Sequence, residues 1–408
     1  MFAALICGLA LSGAIQYSAG QVDITPDTPL ALGGYTARND AVFEPSDQRL
    51  FARILVLRQG TTVIAIVSAE MLTIPESLYL AVQQQLPKDV ELMLVATHTH
   101  SAPDSQMLNS RMTFRVPGIA SYKEKWLKWY ASRIAEGVNG VLDGPYRSDP
   151  ISVLVADVDA NRARREGAVP DKAATWLMAD GRPLLTVFSA HATVLDESFL
   201  KLSGDWPGAL SEASGGLVLP GAIGDVSPAQ LAESGVENLE RLVGNFQEAR
   251  IKAQVVHVMS GTSKLAVSRV PIELDSSTPH PDFAEEFGAP SPLDQVLVSR
   301  FAPEEAEVVA VSIGGLLLVG IPGEPTSSLG RKVQVFAQSL GFPHCVVVSH
   351  VNGWIGYVLE PEDYDRGGYE ATMSFHGRET GLRVLESAKA CVTALTRVAA
   401  PATFGKRG

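Results

Sequence analysis

Apolar runs that stop abruptly at polar, chemistry-bearing residues constrain this chain more than any other feature. Residues 91–96 read Glu-Leu-Met-Leu-Val-Ala and end at Thr97-His98-Thr99-His100. A short apolar run with polar bounds predicts a strand, and alternate side chains of a strand share a face. His98 and His100 are therefore able to converge on one site. Three further segments repeat the pattern: Val187 to His191, Gly224-Asp225-Val226-Ser227-Pro228, and Gly320-Ile321-Pro322-Gly323-Glu324. Each also has a plainer reading. His191 fits a packed core histidine, Asp225 and Ser227 fit a turn or helix cap, and Glu324 fits a helix N-terminus.

The remaining pattern predicts elements that alternate along the whole chain. Hairpins are expected at 55–67 around Arg58-Gln59-Gly60 and at 176–188 around Ala179-Asp180-Gly181-Arg182. Further strands are expected at 151–158, 217–223, 308–319 and 345–350. Helices are expected at 75–86, 122–142, 237–255, 327–340 and 380–398, with Trp126, Tyr130, Ile134 and Val138 on one core-facing stripe of the second. Residues 279–292 read as a surface loop. Interleaved strands and helices without repeats predict a mixed α/β fold: one large catalytic domain of mixed sheets with surrounding helices.

Composition narrows the function. The 408 residues hold 33 Lys and Arg against 45 Asp and Glu, a net charge of −12, and no basic stripe, which excludes nucleic acid as an expected partner. The one dense basic patch, Arg162-Ala163-Arg164-Arg165, is too short for that role. Residues 2–11 are apolar and precede Ser12-Gly13-Ala14, so 1–14 form a candidate signal peptide and 15–408 the domain proper. The expected location is secreted or periplasmic; a buried first strand is the competing reading, since no Lys or Arg precedes the apolar run. No stretch predicts a membrane helix and no basic amphipathic helix suits a lipid surface, so at most peripheral membrane contact is expected. Cys345 and Cys391 fit either a pair or two buried thiols, and no Cys-x-x-Cys spacing exists, so a zinc site would use His, carboxylate or other oxygen ligands. An additional structural cation has no readable motif.

Two His and one Glu at strand ends are ligand types of a catalytic zinc. Taken in order, Asp23-Ile24-Thr25, Thr97-His98-Thr99-His100-Ser101, Gly224-Asp225-Val226-Ser227-Pro228, Pro322-Gly323-Glu324 and Asn352-Gly353-Trp354-Ile355-Gly356-Tyr357 through Gly368-Tyr369-Glu370-Ala371 resemble the successive blocks of the neutral/alkaline non-lysosomal ceramidases. The resemblance implies Zn²⁺ held by His98, His191, Glu324 and Tyr357. It implies His100 at the substrate, Ser227 as a serine long discussed as catalytic, and Tyr369 near the scissile amide. Asn161-Arg162 resembles an Asn-Arg pair whose arginine faces the site, which makes Arg162 the expected substrate contact.

The chain departs from the family at Ala102, Asp104-Ser105, Ala229 and Trp354. It also ends soon after the last block, so the expectation is a catalytic domain without the immunoglobulin-like C-terminal domain of fuller members. The implied reaction is zinc-dependent hydrolysis of a lipid-like amide, N-acylsphingosine plus water giving fatty acid and sphingosine, as in sphingolipid metabolism. His100 would serve as general acid, since an unperturbed imidazole titrates near about 6.5. A zinc hydrolase of another amide, ester or lactone, a serine hydrolase using Ser227, and a non-catalytic binding homologue are the alternatives.

Overall fold

The computed structural model describes residues 13–399. Residues 1–12, which hold most of the candidate signal peptide, lie outside the described residues. Three sheets organise the chain. The first comprises β1 (Gln16–Asp23), β2 (Phe51–Gln59), β3 (Thr62–Ala69) and β4 (Val90–Ala96) in that order; β4 runs parallel to β3 and the other neighbours are antiparallel.

The second sheet starts at β5 (Ile151–Asp157), and the short β6 (Asn161–Ala163) follows outside it. A hairpin of β7 (Ala173–Ala179) and β8 (Arg182–Phe188) comes next, turning at Asp180 and Gly181, both with positive φ. That geometry matches the twist of antiparallel strands. β9 (Leu217–Pro220) pairs parallel to β8, β10 (Val226–Pro228) pairs with β6 in a separate ribbon, and β11 (Gln254–Val258) closes the sheet beside β5. The third sheet takes β12 (Leu265–Pro271), β13 (Glu307–Ile313), β14 (Leu316–Gly320) and β16 (His344–Val348); β15 (Glu324–Pro325) and β17 (Tyr357–Val358) form a parallel two-residue ribbon.

The inner strands of each sheet, such as β3, β8 and β14, bury both faces, which explains why they read as unbroken apolar runs rather than alternating ones. The inner faces meet in one core that joins Leu55, Ile66 and Val95 of the first sheet, Leu177, Val187 and Leu219 of the second, and Val311, Leu318 and Val348 of the third. Helices cover the outer faces. α1 (Glu76–Gln83) and α2 (Glu124–Leu142) pack on the first sheet through Leu78, Val82, Tyr130, Ile134 and Val138. α3 (Asp205–Ser214) and α4 (Gly235–Lys252) pack on the second through Trp206, Leu210, Leu242 and Phe246.

Segment 279–292, expected as a loop, contains α5 (Phe283–Phe287). Together with α6 (Leu293–Phe301), it packs Phe283, Val298 and Phe301 against Met112 and Phe375. Apolar contacts made with distant residues favour a helix that local turn chemistry hides. α7 (Ser327–Ser339) and α10 (Thr380–Ala399) cover the third sheet, while α8 (Pro361–Asp365) and α9 (Tyr369–Thr372) lie near Tyr357. Cys345 and Cys391 are separate, buried free thiols, and the Cys391 thiol donates to the Ser268 carbonyl at 3.1 Å. Among the described residues no helix is long and apolar enough to cross a membrane.

In each sheet a parallel pair, β3/β4, β8/β9 or β14/β16, follows an antiparallel hairpin. Parallel neighbours release their C-terminal ends on the same edge. The chain thereby delivers six strand ends, from three sheets, to one end of the shared core. Gly224 marks how closely these ends approach. A Cβ there would sit 2.4 Å from the Glu324 carbonyl oxygen, and its N–H donates to the Pro325 carbonyl at 2.9 Å.

Candidate metal centre

His98 leaves β4 with φ 66°, a left-handed conformation that histidine tolerates better than most side chains. Its N–H donates to the Met71 carbonyl, and its ring is aimed by a second bond, Nδ1 to the Leu72 carbonyl at 2.8 Å. His191 follows β8 and repeats the device, with both its N–H and its Nδ1 (2.9 Å) on the Val226 carbonyl. A carbonyl only accepts, so each Nδ1 must carry the proton and each Nε2 is left with a lone pair.

Those lone pairs point at a carboxylate. His191 Nε2 lies 3.1 Å and His98 Nε2 3.6 Å from Glu324 Oε2, and all three residues are at most 5% exposed. Glu324 is placed by β15, whose parallel partner β17 sets Tyr357 opposite it; the Tyr357 hydroxyl is 3.1 Å from His191 Nε2. The other carboxylate oxygen accepts from Trp354 Nε1 at 3.0 Å. Burial, first among the causes for both, keeps His191 and His100 neutral: His191 is lowered to about 4, and His100 lies well below the usual value. Acceptor atoms therefore converge around one negative charge, a donor set that calls for a cation.

His100 shares the face of His98, their Nε2 atoms 3.4 Å apart, and its buried Nδ1 has no partner. Gly34 makes room for this ring: at φ 86°, a Cβ there would come within 2.3 Å of His100 Nδ1. Ser227 is buried on β10, with no hydrogen bond from its hydroxyl to a base among the described residues. Tyr369 is 44% exposed at the rim, its ring 5.9 Å from that of Tyr357.

The guanidinium in the cluster is not that of Arg162. Arg162 lies exposed on β6, in register with Ser227, whereas Arg164, two residues on, turns inward. Arg164 Nη1 is 3.2 Å from His191 Nε2, its Nη2 donates to the Tyr357 hydroxyl at 2.9 Å, and its Nε to Glu370 at 2.8 Å. Arg165 binds the other Glu370 oxygen at 2.9 Å. The basic patch is thus an ion-pair anchor for the site wall. Sequence reading also passed over His350, fully buried after β16 with both ring nitrogens unpartnered; its ring stacks on His98 at 4.2 Å, and its Nε2 is 3.9 Å from Glu324 Oε1. Its signal was the same as that of the other segments, an apolar run ending in histidine.

No family model matches the chain. Over 113 residues, 27% of this chain, it is 32% identical to a neutral ceramidase of Mycobacterium tuberculosis, a match that spans 18% of that relative's length. The crystal structure of neutral ceramidase from Pseudomonas aeruginosa superposes with a TM-score of 0.78 at 17% identity, covering 94% of this chain and 75% of that one. The chain has the neutral ceramidase fold. A structure of a ceramidase complexed with C2 superposes equally well, with a TM-score of 0.80, again at 17% identity, over 94% of this chain and 76% of that one. The blocks of the ceramidase resemblance therefore lie on the same architecture as those enzymes. The four residues that the resemblance implies as ligands, His98, His191, Glu324 and Tyr357, lie in one buried cluster.

Proposed function

We propose that the chain is a metal-dependent hydrolase of a linear amide, acting on N-acylsphingosines or close analogues. The observation that carries this reading is the tautomer lock: two imidazoles with Nδ1 tied to backbone carbonyls turn their Nε2 atoms toward a buried carboxylate. His98, His191, Glu324 and Tyr357 would hold the ion, and Zn²⁺ suits their chemistry. Such an ion supplies a polarised water and a Lewis acid for the amide carbonyl.

This chain's own residues have the remaining tasks. Arg164, whose Nη2 donates to the Tyr357 hydroxyl at 2.9 Å, is the donor beside the cluster, suited to the negative charge that develops on a carbonyl oxygen under attack. Burial, reinforced by Glu324 against the pull of Arg164, raises the Tyr357 phenol well above its usual range, so it keeps its proton until a cation displaces it. Burial, first among the causes, keeps His100 neutral. We assign it to take up a proton as the carbonyl is attacked and to return it to the leaving nitrogen. The C–N bond breaks, the hydroxyl of water stays on the acyl carbon, and its proton goes to the amine. Tyr369 at the rim would align the amide.

The decisive experiment is a hydrolysis panel of N-acylsphingosines of several chain lengths, short N-acyl amides, esters and lactones, before and after chelation. We expect N-acylsphingosine cleavage that chelation abolishes and Zn²⁺ restores. Full turnover by metal-free protein, or cleavage of lactones or esters alone, would overturn the assignment. Export to a secreted or periplasmic location belongs to the same proposal and rests on the apolar stretch 2–11; N-terminal sequencing of the mature protein tests it.

A further inference from the structure

His350 has no place in the four-residue donor set, yet it is built into the centre as firmly as the residues that do. Its backbone adopts φ 56°; its N–H donates to the Gly323 carbonyl at 3.1 Å and its carbonyl accepts from Ala96 N at 3.4 Å. Two residues on, Asn352, also left-handed, exchanges hydrogen bonds of 2.8 Å with Leu94 through both its N–H and its side-chain oxygen. These bonds fasten the end of β16 to the edge of β4, so the loop that bears His350 is locked against the strand that bears His98. Left-handed backbone is held only where surrounding contacts determine it.

Locked in this way, the ring is fully buried and neither nitrogen has a hydrogen-bond partner. A buried imidazole with two orphaned nitrogens is expensive, and a core site would be better filled by leucine. The orphaned ring faces the donor set. It stacks on His98 with an interplanar angle of 20°, and one ligand atom each from His98, Glu324 and His350 lie within 4.8 Å of one another. Glu324 therefore has a different set of neighbours at each oxygen: His98 and His191 at Oε2, Trp354 and His350 at Oε1.

We propose that His350 is itself a metal ligand of this centre, a third imidazole that coordinates the ion through Nε2. The centre then has two overlapping donor sets sharing His98 and Glu324, one completed by His191 and Tyr357, the other by His350. This assignment rests on the metal-dependent reading above. It makes the ion's surroundings richer in nitrogen.

The test uses the purified full chain loaded with Zn²⁺ or Co²⁺. His350→Leu should weaken Zn²⁺ affinity, measured by chelator competition, at least about tenfold. It should also shift the visible Co²⁺ spectrum toward that of a lower coordination number. The metal-free variant should melt no lower than the wild type, since leucine removes two orphaned polar atoms. Unchanged affinity together with an unchanged Co²⁺ spectrum would overturn the proposal. Should the variant not fold, a metal-loaded wild-type crystal decides: Nε2 of His350 at about 2.0–2.1 Å from the ion supports it, and a ring left outside bonding distance refutes it. Failure of the wild type to take up metal would instead overturn the metal-dependent reading, and this proposal with it.

Discussion

The segments 97–100 and 224–228 leave their sheets in the same way, an apolar run followed by polar residues in a tight exit, yet they do different things. The first sends His98 into a cluster with a carboxylate and other imidazoles. The second turns its carboxylate away: Asp225 accepts from the Ser327 N–H at 2.7 Å and from its hydroxyl at 2.8 Å, pinning the start of α7, and Ser227 has no base. A polar strand end is thus equally good as chemistry or as a tie. What separates the two is whether its partners are acceptors that need a cation or donors that are already satisfied. Substitutions in the two segments should accordingly fail in different assays.

The largest difference is expected at His98. His98→Ala removes an Nε2 and leaves Glu324 short of a facing donor, so amide hydrolysis should drop at least about a thousandfold, along with most bound metal. Retained activity with stoichiometric metal would erase the contrast between the segments.

The turn that follows the first segment contains a tie of its own. Asp104, 4% exposed, accepts from the Gln106 and Ala120 N–H groups, and burial pushes its carboxyl up to about 6. With a folded pKa above the usual 3.8, this group contributes stability that is full below about pH 3.8 and lost as pH rises through about 6. Unfolding curves of wild type and Asp104→Asn should therefore diverge between pH 7 and pH 4 by on the order of 3 kcal/mol, with the wild type gaining at the acid end. A pH-independent difference would mean that the carboxyl stays ionised throughout.

Arg164 sharpens the comparison from a third direction, because it ties the second segment to the histidine cluster: its Nη1 faces His191 and its Nη2 donates to the Gly224 carbonyl at 2.8 Å. Arg164→Met should lower kcat/KM about 10–100-fold, while exposed Arg162→Ala changes it by less than about twofold. Equal effects at the two positions would restore Arg162 to the site.

Much of this was legible in the sequence. The inner strands bury both faces, so they stand out as apolar runs, and the segments that carry His98, His191 and Glu324 lie at the ends of those runs. Elements held by distant contacts were not: α5 hides among prolines, and α3 contains Pro207 and Gly208, which read as turn residues until Trp206 is seen packed on Phe246 at 5.6 Å. The expectation of Arg162 rested on matching Asn161-Arg162 to a family Asn-Arg pair, and a motif match two residues from a second arginine does not show which guanidinium turns inward. His350 was passed over because nothing in a lone sequence shows that a histidine lacks partners.

The smallest effect distinguishes two residues of the second segment. Asp225→Ala should lower folding stability by about 1–3 kcal/mol, since it orphans the buried Ser327 N–H and hydroxyl at the start of α7. Bound metal should remain, because no atom of Asp225 faces the cluster. Ser227→Ala removes a hydroxyl that bonds to nothing, so stability should change by no more than about 0.5 kcal/mol and turnover by less than about twofold. Metal content and kcat, measured on both variants in one preparation, make the outcome unambiguous. A serine nucleophile predicts the reverse ranking for turnover: Ser227→Ala inactive with its metal in place, Asp225→Ala impaired only as far as it is unfolded. That reversal would move the chemistry from the first segment to the second and leave the histidine cluster as the structural tie.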